Sequence, residues 1–185
     1  RKVLAVDLYT GVYEEEVLDA FSKEFSGRVM NVRDLIKPEK EIQELTERFM
    51  TEDVLFGYVT NLKLEDYLDV DKVAAARKQI SEAKETIVII GTGAAVVAPQ
   101  DAMVVYADMA RWEIEQRFRR HDVKALGIDN RNDAVSLQYK RGYFNDWRVC
   151  DRYKERLFDR VEFWIDTHVA GTPKMIDKDT FFKGV

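Results

Sequence analysis

Two hydrophobic periods alternate along this chain. Residues 3–6 form a short aliphatic run, residues 14–25 place Val17, Leu18, Phe21 and Phe25 at helical spacing, and a brief apolar stretch at 29–32 follows Ser26-Gly27. The pattern predicts strand, helix, strand. Residues 37–49 and 71–83 read as further helices, the second rich in alanine and opened by Asp69 or Asp71 as its cap. Between them, Phe56-Gly57-Tyr58-Val59-Thr60 reads as an aromatic loop. Residues 86–90 are a continuous β-branched run, as expected of a strand buried on both faces of a parallel sheet. A second run at 103–106 follows after a dozen residues. Helices are predicted at 108–120 and 146–160, and a last strand at 161–165. Strands alternating with helices through short loops imply a doubly wound, mainly parallel α/β sheet with helices on both faces.

The chain has 185 residues, 46% of them hydrophobic, which suits one buried core and a single domain over 1–185. A net charge of −5 argues against general binding to nucleic acid or a membrane surface. The charge is unevenly spread: residues 111–160 hold 13 Lys/Arg against 9 Asp/Glu, so an anion-facing part is expected there if anywhere. Cys150 is the only cysteine, which excludes an internal disulfide and fits a reducing cytoplasm. No stretch approaches the ~20 apolar residues of a membrane span. Arg1 at the start and Gly184-Val185 after an apolar Phe181-Phe182 pair suggest a piece excised from a longer chain.

Candidate chemistry begins after the first strand, where Asp7-Leu8-Tyr9-Thr10-Gly11-Val12-Tyr13 leads into a helix opening with Glu14-Glu15-Glu16. A nucleotide kinase holds its phosphates at such a place. A working phosphate loop has the pattern Gly-x4-Gly-Lys-Ser/Thr, because backbone amides, a lysine and a metal-binding hydroxyl must converge there. Here the lysine is missing, one glycine remains, and three carboxylates occupy the first turn. Each carboxylate near 4 Å from a phosphate is repulsive by roughly 4 kcal/mol at an effective dielectric of about 20. The glutamates suit the positive end of the helix dipole when the loop is empty. Asp7, at the strand end, is either a base or metal ligand or, as is commoner, a cap for a neighbouring turn.

Gly91-Thr92-Gly93 follows the run at 86–90, and ligands of open α/β sheets collect outside the carboxyl ends of strands. Asp108 lies 17 residues beyond Gly91, near the place of a dinucleotide fold's ribose acid. That likeness fails on length, since residues 94–102 contain Pro99 and are too short for the helix of a βαβ unit. Arg111, Arg117 and Arg120 form a potential anion clamp, since an arginine fork grips phosphate bidentately, although solvated ion pairs would also explain them. His121 and His168 are the only histidines, and no set of three or four convergent zinc ligands is visible. Cys150 sits on an apolar helix stripe, as a buried structural thiol does. The candidate ligand residues are therefore Thr10, Gly11, Gly91, Thr92, Gly93, Asp108, Arg111, Arg117 and Arg120.

Four stretches carry a family resemblance: Phe56-Gly57-Tyr58, Gly91-Thr92-Gly93-Ala94-Ala95, residues 106–114 (Tyr-Ala-Asp-Met-Ala-Arg-Trp-Glu-Ile) and residues 139–152 (Tyr-Lys-Arg-Gly-Tyr-Phe-Asn-Asp-Trp-Arg-Val-Cys-Asp-Arg). Together they resemble the N-terminal domain of bacterial proteins of the class I mannose-6-phosphate isomerase family, a domain similar in layout to uridine kinase and related phosphate-loop kinases. The resemblance implies a non-catalytic, kinase-like accessory domain in sugar-phosphate metabolism. It also implies a downstream cupin isomerase domain as intramolecular partner, with the zinc there and no cofactor here, and a sugar phosphate or nucleotide as possible ligand. The alternatives are a divergent nucleoside or sugar kinase and a protein-interaction module.

Overall fold

The structure is a computed structural model that describes residues 3–184. Its strands are β1 (Val3–Leu8), β2 (Arg28–Asn31), β3 (Ile87–Gly91), β4 (Met103–Asp108), β5 (Val161–Asp166) and β6 (Lys174–Asp177). They form one sheet in the order β2-β3-β1-β4-β5-β6. The first five run parallel, and β6 joins antiparallel to β5 at one edge. The doubly wound, mainly parallel class is thus the one expected. β3 is buried along its whole length, which is why its sequence shows β-branched residues without alternation.

The helices are α1 (Glu14–Glu24), α2 (Glu39–Met50), α3 (Val70–Glu82), α4 (Ala94–Val97), α5 (Arg111–Arg119), α6 (Val135–Arg141), α7 (Trp147–Leu157) and α8 (Lys178–Lys183). Asp69 caps α3 by accepting from the amides of Asp71 and Lys72, whereas α2 starts at Glu39 because Pro38, in extended backbone, is its N-cap.

Three predicted elements need correction. Residues 94–102 do supply a helix, the single turn α4, which packs beside β1 in the connection between parallel strands β3 and β4. Small residues make so short a crossover feasible: Ala94 and Ala95 are buried against the sheet. The helix expected from residue 108 begins at Arg111, because Asp108 still pairs with Asp166 as the last residue of β4. The helix expected at 146–160 starts much earlier, at Val135, and passes through a π turn at Gly142–Asp146 before continuing as α7. Gly142 permits that close approach, since a Cβ there would meet Trp147 Cζ2 at 2.7 Å.

Candidate functional site

β1, β3 and β4 end together at the carboxyl edge of the sheet, where the crevice of an open α/β fold lies. A cleft of about 620 Å³ opens there. Its walls are the β1–α1 loop, the turn after β2 with Arg33 and Lys37, Thr92 after β3, and the irregular segment from Asp122 to Arg131. Of the residues expected to touch a ligand, Thr10, Gly11 and Thr92 line this cleft. The other predicted residues serve the scaffold around it.

Asp7 is fully buried and caps α4: its Oδ1 accepts from the Gly93 amide at 3.0 Å, its Oδ2 from the Ala95 amide at 2.8 Å and from the Tyr153 hydroxyl at 2.5 Å. Burial pushes its pKa up to about 6, against the lowering effect of those donors. Gly91 and Gly93 adopt φ of +132° and +99°, backbone that favours glycine, so this pair shapes the turn that Asp7 holds. Asp108 accepts from Lys154 at 2.9 Å. Arg111 donates to both oxygens of Asp151 and to the Tyr9 hydroxyl, and its guanidinium lies 4.4 Å from the centre of the Trp147 ring.

Arg117 is the largest departure from expectation. It has no exposed surface at all. Nε donates to Glu113 at 3.0 Å, Nη1 to the Gly11 carbonyl at 2.9 Å and Nη2 to the Thr167 carbonyl at 2.7 Å, with the Tyr13 ring centre 3.9 Å from its guanidinium. Arg120 donates to Glu113 and Asp122. Burial alone would raise the Glu113 carboxyl, but Arg117 and Arg120 hold it below its ordinary value. The three arginines therefore each face a carboxylate in place of a ligand phosphate, and two of them fasten the β1–α1 loop and the residues beside it.

The cleft itself is acidic. Arg33, Lys37, Lys124 and Arg131 line it against Glu14, Glu15, Asp34, Glu39, Asp122 and Asp129. Arg33 is paired with Glu15 and lies 3.9 Å from Glu14, and Arg131 grips Asp129, lowering its pKa to about 2. Arg33 and the 122–131 segment are cleft residues that sequence reasoning missed. The only signal was a cluster of Asp, Asn, Lys and Arg between two helices. Elsewhere, Cys150 is buried as expected, and burial drives its thiol pKa well up. Among the described residues no group of three or more His, Cys, Asp or Glu side chains is placed to hold a metal ion, and no helix is long and apolar enough to cross a membrane.

The chain belongs to the family described as "Domain of unknown function (DUF8485)", whose model matches residues 1–185. No curated protein matches it. Among solved structures it is similar to a gluconokinase from Sinorhizobium meliloti 1021, with 14% identity, a TM-score of 0.46, and 92% of this chain and 83% of that one covered. It is also similar to a shikimate kinase from Bacteroides thetaiotaomicron, with 13% identity, a TM-score of 0.34, and 84% and 97% covered.

Proposed function

We propose that this is a kinase-like domain that binds a neutral polar small molecule, an unphosphorylated sugar or nucleoside, in its carboxyl-edge cleft and does not transfer phosphate. The observation that carries this reading is the excess of carboxylates over cations around the cleft. A phosphate seated on the loop would face Glu14 and Glu15 at close range, whereas sugar hydroxyls accept from and donate to such a mixed lining equally well. Thr10, Gly11 and Thr92 are the contacts this reading assigns. In an NMR titration their amides should move saturably with unphosphorylated sugars or nucleosides, and movement only with the phosphorylated compounds would refute the reading.

The role of accessory domain beside a mannose-6-phosphate isomerase-like partner rests on the four sequence stretches alone, as does a zinc site in that partner. On this reading the 185-residue chain has no isomerase activity of its own, and chelator-sensitive turnover of mannose 6-phosphate by it would contradict that. A second reading, a divergent sugar or nucleoside kinase, draws support from Arg33. This cation stands beside the first turn of α1 and would replace the missing lysine if it let go of its glutamates.

A further inference from the structure

A second cleft, larger at about 1020 Å³, opens at the opposite edge of the sheet, beside Val3 at the start of β1 and Ala102 just before β4. It shares no residue with the first. Three arginines line it, Arg77 from α3, Arg156 from α7 and Arg160 from the turn before β5, against two carboxylates, Glu65 and Asp101. This balance is the reverse of that in the carboxyl-edge cleft and of the chain as a whole, whose net charge is −5.

Arg77 Nη2 donates to the Val96 carbonyl at 2.7 Å, and Arg160 Nη1 donates to the Ala95 carbonyl at 3.2 Å. Both heads are therefore held in place by backbone carbonyls, which fix the guanidinium without cancelling its charge. A guanidinium has five N–H donors, so each keeps donors in hand. Arg156 is paired with Glu65 at 3.1 Å, but both side chains are about half exposed, so the pair is weak and readily exchanged. The rest of the lining includes apolar surface from Ile80, Val97, Pro99 and Leu157.

We propose that this amino-edge cleft is a binding site for a small organic anion, a phosphate or carboxylate carried on a compact apolar body. The arginine forks take the anionic group and the apolar wall takes the body, a division of labour usual in ligand pockets. The site is independent of the function proposed for the other edge.

Phenyl phosphate is a suitable probe, followed by amide NMR on the whole chain. Saturable movement is expected at Val96, Val97 and Ala102 and not at Gly11 or Leu126. Inorganic phosphate should bind more weakly at the same amides, and benzyl alcohol should leave them still. Loss of one charge-assisted contact corresponds to a weakening of roughly 10- to 100-fold, so Arg77→Gln should reduce affinity by about that factor. Arg156→Gln, at an exposed position, should weaken binding with an unchanged melting temperature. The proposal is overturned if no saturable movement occurs at these amides, or if both variants melt like the wild type and bind phenyl phosphate equally well.

Discussion

Arg117 donates to the carbonyl oxygen of Gly11 at 2.9 Å, tying the last turn of α5 to the loop after β1 from inside the protein. A phosphate loop presents amides to its ligand and stays open to receive it. Here a cation stands behind the loop, and the carbonyl of its single glycine is already taken. Positive charge at this place thus serves the fold.

Because Arg117 is wholly buried and donates to the Gly11 and Thr167 carbonyls, Arg117→Leu should cost about 1–3 kcal/mol for each acceptor left without its donor, while Glu113 keeps Arg120 as a partner. Urea unfolding measures it. Arg111→Ala removes a pair in which both side chains are more than a third exposed and should cost far less. Equal losses for the two variants would contradict the assignment of Arg117 to the core.

The Asp7 carboxyl gives the fold a pH signature. Its folded pKa of about 6 lies above its ordinary value of 3.8, so between those values the folded state binds more protons than the unfolded one. Its contribution to stability is therefore greatest in acid and declines as pH rises from about 4 to about 6, by an order of 3 kcal/mol. Stability of the wild type relative to Asp7→Asn should fall over that window. A relative gain with rising pH would show that the donors from Gly93, Ala95 and Tyr153 outweigh burial.

Cys150 lies in the core on α7, its thiol pKa raised first by burial and then by the nearby charge of Asp146. Reaction with a disulfide reagent should be negligible in the native protein and complete on unfolding, since the thiolate is the nucleophile. Fast labelling under native conditions would place the thiol at the surface and undo the packing described for α7.

Much of this architecture is legible in the sequence because the fold writes its interior strands as apolar runs: β1, β3, β4 and β5 each coincide with one. β6 is not legible, since all four of its residues are exposed and Lys-Met-Ile-Asp carries no buried face. The helix at 135–141 and the π turn after it are hidden too, because Gly142 interrupts the pattern as a helix breaker would, and only the tertiary packing of Trp147 against it reveals a continuous helix. At the site, the missing lysine and the acidic first turn of α1 are plain from the residues alone. The role of Arg117 is not: its i,i+4 partner Glu113 looks like a surface pair, and only the tertiary approach of Gly11 and Thr167 buries it. The cleft wall at 122–131, with two acids and two bases, lies outside every periodic segment, where hydrophobic pattern carries no information.

Calorimetric titration with MgATP tests the central claim most directly, namely that the β1–α1 loop does not receive phosphates. Repulsion from Glu14 and Glu15, together with the missing loop lysine, predicts binding weaker than about 1 mM, or less than roughly 4 kcal/mol of affinity. A dissociation constant in the micromolar range, competed by ADP and lost when the glutamate-paired Arg33 is changed to alanine, would contradict the account and show that Arg33 supplies the phosphate cation.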